Sequence, residues 1–563
     1  MFSGTVIIAL LALPALLFYL YSAIHYRRVK QFAHFPQLKP SLVWGHMRIL
    51  TEYQKRRGET GSQLEHTFGD MFESTGNPPV MLLDIRPASR PMLVIRSHEV
   101  AEQITKQSKM WPYSLPKSNT LQFLYPLFGE TSIVMVSGPE WRDMRKRFNP
   151  GFAPHHLMGL MPVILEKTKI FIRKLTSVAL TGEDFELGPL LTDLTFDIIG
   201  AVTMDVDLGA QLPQQQQGDF IKSYKKILLS YEVKNGIALL WDNALVHRRR
   251  EALAKSVNAF IADVILRRYD DVKQNRVESN QSVLALSLKD VEYMTPEILI
   301  GTRDQLKTFM FAGHDTTSIL LQWALYELSR TPRALSTLRA ELHSLFGSDL
   351  SPDSVRQVLL SRGEEVMMGM PYTSAVIKET LRLYPPAGTA RWCAQGSNFY
   401  LHLPGADSLC VDDLILYICP TLVQRDPAVY GSTKDDFVPE RWLGNTDTSS
   451  SPMANEKVGA DSTKAGENEI PAAAWRPFER GPRNCIGQEL ANIEARVILA
   501  SVVGSYDFEK VGLGEAILGM DGRPLIDEKG QHRSATCLIN TRQITSKPID
   551  GMRVRVKHRG VSF

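Results

Sequence analysis

From residue 155 onward, apolar positions along this 563-residue chain recur at helical spacing, and 155–180, 186–206, 218–233, 248–272 and 296–330 each predict a helix. The last is long, with Gly313 interrupting it. "TPRALSTLRAELHSLF" and "PYTSAVIKETLRLYPP" predict two more helices, the second stopped by Pro385 and Pro386. Ahead of these, residues 85–100 hold short apolar runs cut by prolines, such as "PMLVI", which suits a small sheet near the start. After 505, proline and glycine punctuate short alternating runs and predict β-hairpins. Residues 443–474 are polar and low in complexity and read as a solvated, partly disordered insertion. The expectation is one large domain over 46–563, mainly α with small β-sheets.

The first residues follow another pattern. "FSGTVIIALLALPALLFYLYSAI", Phe2 to Ile24, has no charged side chain, and about 20 apolar residues suffice for a helix to cross a bilayer. A secretory signal would carry a basic stretch ahead of a shorter apolar core, so an uncleaved anchor over 2–24 is expected. Arg27, Arg28 and Lys30 follow directly and place the rest of the chain on the cytosolic side. Residues 25–45, basic and then proline-rich, predict a stiffened hinge.

Composition narrows the chemistry. A net charge of +3 is too small to argue for nucleic acid. Cys393, Cys410, Cys419, Cys485 and Cys537 are odd in number and lack C-x-x-C or Cys/His spacing, which speaks against a disulfide framework and a structural zinc site. There is no G-x-G-x-x-G or Walker motif.

One cysteine has an unusual setting. "FERGPRNCIG" (478–487) surrounds Cys485 with Phe478, Gly481, Arg483 and Gly487, just before a helical apolar pattern. A match to F-x-x-G-x-R-x-C-x-G arises by chance in roughly one chain in 10,000 of this length. A thiolate that binds metal needs a tight loop aiming N–H groups at the sulfur, and a helix start beyond it lowers the thiol pKa. An inert buried cysteine would need none of this.

With that loop the chain resembles the cytochrome P450 family, haem-thiolate monooxygenases. The resemblance implies that fold, haem b as cofactor, Cys485 as axial iron ligand, Phe478 packed beside the sulfur and Arg483 paired with a haem propionate. Further motifs stand in the family's order. "AGHDTT" (312–317) lies mid-helix, where small residues at 312 and 313 let the helix pass a flat ligand and Asp315 with Thr316 relay protons. "ETLR" places Glu379 and Arg382 on one helical face, and "FVPERW" adds Arg441, which in the family completes a buried structural network. "WRDMR" sets Trp141 and Arg145 one turn apart, both implied propionate partners, and Arg391 after "PPAGTA" is a third cationic one. Taken alone, each motif could be a surface ion pair, a core residue or a solvated face; their agreement in order gives them weight. One departure is Gln424-Arg425 before Asp426-Pro427, where many relatives have histidine; little consequence is expected.

The resemblance implies a monooxygenase anchored in the endoplasmic reticulum membrane that puts one oxygen of O₂ into an apolar small molecule. With no flavin domain in 563 residues, electrons are expected from a separate NADPH-cytochrome reductase, with cytochrome b5 a further candidate. Arg142, Lys146 and Arg147 are expected to face outward as a docking patch. Stretches 111–135, 305–317, 386–391 and 543–551 are the expected pocket walls, mostly apolar. The anchor together with "RKRFNPGFAP" (145–154) is similar to fungal microsomal members that tailor polyketides or terpenoids. Fatty-acid or alkane hydroxylation, O₂-independent rearrangement or dehydration, and a non-catalytic haem-binding membrane protein stay open as alternatives.

Overall fold

The computed structural model describes residues 4–57, 64–231, 244–274, 276, 282–405, 407–444, 470–541 and 544–559, with the backbone alone for 4–11, 244 and 245. Most of the expected insertion (445–469) and residue 543 of the expected pocket wall lie outside them.

Among the described residues the body is mainly α with small β-sheets. The helices predicted from periodicity are Pro154–Gly159 followed by Met161–Thr181, Leu187–Met204, Asp219–Leu229, Ala244–Lys273 and Pro296–Arg330. The last starts where sequence would start it: Thr295 accepts the Ile298 N–H on its hydroxyl, and Pro296 occupies the first helical position. It continues unbroken through Gly313. A Cβ there would lie 2.6 Å from the Ile199 side chain, so Gly313 lets Leu187–Met204 pack directly against the long helix.

The four-stranded sheet pairs Val80–Leu83 with Met92–Ile95, then Ile415–Ile418, then Thr389–Trp392, with only the middle pairing parallel. Tyr506–Lys510 and Arg553–His558 pair antiparallel, joined by Phe185–Glu186. The sheet expected at 85–100 thus starts slightly earlier and recruits strands from the far half of the chain. Hairpin-like bridges at Ala516–Ser534 and Asn540–Pro548 fill the C-terminal segment.

The stretch expected as an anchor forms the helix Gly4–His25. Among the described residues, the one helix meeting both the length and the hydropathy needed to cross a bilayer is Leu187–Met204, and 72% of it is buried inside the body. That helix belongs to the core. The expected hinge is docked rather than loose. Arg28 forms an ion pair with the buried Asp84 at 2.9 Å and donates to the carbonyls of Val43 and Arg86, and Phe35 is buried.

Behind the sheet, Glu379 and Arg382 on the helix Pro371–Leu383 form a fully buried bidentate pair, both contacts 2.9 Å. Arg441 Nε, Trp442 Nε1 and the Val438 N–H also donate to the Glu379 carboxylate, at 3.0, 2.9 and 2.9 Å. The Arg382 guanidinium donates onward to the carbonyls of Gln424, Lys434 and Asp436. A planar fork held this way has a single orientation. Gln424, which looked inconsequential in the sequence, is fully buried. Its amide donates to the Leu381 and Arg382 carbonyls and accepts the Arg476 N–H at 2.7 Å. Removing one member of a buried pair strands the other charge, so Arg382→Ala is expected to lower stability by about 3–5 kcal/mol. Thermal unfolding followed by circular dichroism measures it, and Arg441→Ala, at the half-open edge of the network, should lose less.

Candidate active site

The cysteine loop is shaped by two close contacts. Gly481 has φ +76°, and a Cβ on it would sit 2.1 Å from the Thr105 carbonyl oxygen, so the turn excludes any side chain. The Cys485 N–H donates to the Phe478 carbonyl at 2.8 Å, closing the loop, and Gln488–Val503 begins as a helix three residues on. The Cys485 side chain is exposed, and what it is exposed to is a cavity of about 320 Å³. Phe478, Ile486 and Leu490 line the cavity around it. Thr308, Phe309, Ala312, Gly313 and Thr316 on the long helix also line it, as do Ala387–Thr389. Of the expected pocket stretches, 111–135, 305–317 and 386–391 contribute walls, whereas described residues 544–551 are not among those lining it.

Burial pushes the Cys485 thiol above its usual value, while the Gly487 N–H, Arg145 and Lys117 pull it down. The expected lowering is therefore present as a local pull, and desolvation outweighs it. A cationic partner bound at the sulfur would reverse that balance.

The cations cluster on one side. Lys117, Arg145 and Arg483 line the cavity with Trp141, over whose ring the Arg483 guanidinium sits at 5.3 Å. Arg145 donates to the Asn484 backbone and side-chain oxygens at 2.6 and 2.9 Å, and Arg483 donates to Ser137, Ile133 and Val136. Arg391 lies one layer back, fully buried, bridged through its backbone to Lys117 and donating to the Leu115 carbonyl. Its Nε and Nη2 find no hydrogen-bond partner among the described residues. Burial lowers Arg391 to about 10, Arg483 to about 9, and Lys117 well below its ordinary value. Nearby acids offset this group only in part, with Glu479 acting on Lys117 and Arg391. Glu479 is held by Arg476, and burial raises the Glu494 carboxyl well above the carboxylate range. Buried cations in excess, with donors unused, fit a ligand carrying carboxylates.

The expected pair on the long helix is divided. Thr316 lines the cavity, and its hydroxyl donates to the Ala312 carbonyl at 2.7 Å. Asp315 is buried and does not line the cavity; its carboxylate faces Lys547 at 2.6 Å and accepts from the Thr545 hydroxyl. Arg147 also departs from expectation. Instead of facing outward with Arg142 and Lys146, it donates to the Ser287 carbonyl and the Thr302 hydroxyl. Sequence reasoning missed Lys117, Gln424 and Lys547 as members of these groups. Only a helix-capping or pairing role could have been read for each, since their partners are remote in the chain.

A helix-rich body, a thiol presented by a tight loop to a cavity, and an excess of buried cations around it together make a site of the haem-thiolate class. The family model for Cytochrome P450 matches residues 54–518, and the chain belongs to that family. It is similar to Cytochrome P450 monooxygenase acrF of Aspergillus aculeatus, 29% identical over 451 residues, covering 79% of this chain and 85% of that protein. Cytochrome P450 monooxygenase polC of Polytolypa hystricis is 28% identical, covering 76% and 72%. Human Cytochrome P450 4V2 is 26% identical, covering 80% of each. The family uses haem b, and its monooxygenases need O₂ and a redox partner and act on small molecules.

A charged hydrogen bond contributes about 1.5–3 kcal/mol. If a carboxylate of the haem takes up the unused nitrogens of Arg391, Arg391→Leu is expected to weaken haem retention about tenfold or more, read as haem per chain after gel filtration.

Proposed function

We propose that the protein is a membrane-anchored haem monooxygenase acting on an apolar substrate, with Cys485 as the axial ligand. The observation that carries this reading is the Cys485 thiol exposed to a cavity that Ala312, Gly313 and Thr316 also line. Haem b held there would supply the activation of O₂, so that one oxygen would enter the substrate and the other would leave as water with two protons and two electrons. Phe478 would pack beside the sulfur, and Trp141, Arg145 and Arg483, backed by Arg391 and joined by Lys117, would hold the propionates. Thr316 holds a proton-bearing water at the cavity wall, and Asp315 supplies protons from the solvent side. Glu379, Arg382 and Arg441 keep the layer behind rigid.

The anchor reading rests on Gly4–His25, which contains no Asp, Glu, Lys or Arg and exposes Leu16, Leu17, Phe18 and Tyr19. It places the protein in the endoplasmic reticulum membrane with 46–563 as the cytosolic catalytic domain. Arg142 and Lys146, both exposed beside Arg145, suit an acidic electron donor, an NADPH-cytochrome reductase or cytochrome b5. Similarity to fungal monooxygenases and the apolar cavity wall favour a polyketide or terpenoid intermediate as substrate.

Cys485→Ser is expected to abolish activity and the red-shifted absorbance of the reduced carbon monoxide complex, which needs a thiolate opposite carbon monoxide. Cys393→Ser and Cys537→Ser should retain it; a thiolate spectrum surviving in Cys485→Ser would overturn the ligand assignment. Removing residues 1–30 should shift the protein out of the membrane pellet with the haem spectrum preserved.

For proton supply, the reading is the fraction of consumed NADPH recovered as hydrogen peroxide. Thr316→Ala should raise that fraction, and Asp315→Asn should slow NADPH consumption by about 10²–10⁴-fold, the usual loss for a general acid–base group. Unchanged values in both variants would favour O₂-independent rearrangement instead.

A further inference from the structure

Asp315 is held by a part of the chain more than two hundred residues away. Asn540 and Pro548 are bridged, the Thr541 N–H donates to the Lys547 carbonyl at 2.6 Å, and the Ile549 N–H donates to the Ile539 carbonyl at 2.9 Å. This C-terminal hairpin presents two side chains to Asp315: Lys547, whose ammonium is 2.6 Å from one carboxylate oxygen, and Thr545, whose hydroxyl donates to the other. Between them, the Ser546 N–H donates to the Pro386 carbonyl at 2.9 Å, and the next residue, Ala387, lines the cavity. The Asp315 side chain is 2% exposed and that of Lys547 30%. The lysine is thus where the buried carboxylate meets solvent.

We propose that Lys547 is a positioning residue for proton supply: it holds the Asp315 carboxylate ionised and turned from the cavity, on a hairpin that Ser546 ties to the cavity-lining loop. The proposal rests on the relay reading given above. A carboxylate locked in a partly buried ion pair cannot reach toward Thr316 until the pair opens. The hairpin that must yield also grips Pro386, so the position of the acid and the shape of the cavity wall are set together.

Other groups face Asp315 as well. His314, its neighbour, has Nε2 at 4.0 Å and is lowered to about 4, chiefly by burial. Tyr224, on the helix Asp219–Leu229, packs its ring against His314. Lys225 on the same helix is paired with Asp193 at 2.7 Å. Lys547 is the cation in direct contact. Burial alone would raise the Asp315 carboxyl, and Lys547, with His314 and Thr545, brings it below the usual carboxylate value. Removing the lysine leaves burial dominant, so Asp315 must then titrate at higher pH.

The test uses the full-length, haem-loaded protein with its reductase. Lys547→Met should change the peroxide fraction of consumed NADPH and move its pH dependence upward, and Lys547→Arg should restore both. Without any turnover, Asp315→Asn should speed amide hydrogen exchange at Ser546 and Ile549 about tenfold or more, the carbon monoxide spectrum staying thiolate-like. Unchanged exchange in Asp315→Asn overturns the proposal, because the carboxylate would then not hold the hairpin. If Lys547→Met keeps the wild-type fraction and pH profile while Asp315→Asn slows turnover, the positioning role is overturned and the relay stands. If neither variant affects turnover, the relay reading falls and takes the proposal with it.

Discussion

The carboxylate of Glu379 is the point on which the catalytic body depends. It is fully buried and survives there because five donors converge on it, two from Arg382 and one each from Arg441, Trp442 and the Val438 backbone. An isolated carboxylate at that depth would protonate or unfold its surroundings. Satisfied this fully, it fixes Arg382, which in turn fixes the carbonyls of Gln424, Lys434 and Asp436. Gln424 passes the constraint to the Arg476 N–H, two residues before Phe478 and the start of the cysteine loop. The position of the sulfur is thus set by a polar network, where apolar packing alone would tolerate sliding.

The cavity is built on the opposite principle. Around it the protein gathers Lys117, Arg145, Arg391 and Arg483 with too few acids to balance them, and leaves two nitrogens of Arg391 unpartnered. A ligand carrying carboxylates would offset this excess of buried positive charge. The Glu379 network secures the frame, and the cations make the frame selective.

How much of this was legible follows from which interactions are local in sequence. Pro371–Leu383 shows Glu379 and Arg382 at neighbouring positions on one face, and the cysteine loop carries its whole logic within ten residues. Both were readable, as were the helices, whose apolar periodicity is a local property. What escaped depends on remote partners. Gln424 looked neutral because its contacts are to backbone atoms of 381, 382 and 476, which no side-chain pattern announces. Asp315 reads in the sequence as a relay partner of Thr316, yet adjacent helical residues point about 100° apart, and Asp315 is paired with the remote Lys547. Gly313 read as clearance for a ligand, and the structure shows Ile199 pressing on it as well.

Arg28 carries one more implication. Its guanidinium lies between the Asp84 carboxylate and the carbonyls of Val43 and Arg86, and Arg86 grips the same carboxylate from the other side. If the helix just before it anchors the protein as proposed, this clasp acts as a bearing without free rotation. The angle at which the catalytic body would ride on a lipid surface would then be written into the protein fold. Changes in headgroup charge or bilayer composition would alter how strongly the enzyme adheres while leaving the direction from which a hydrophobic substrate arrives the same.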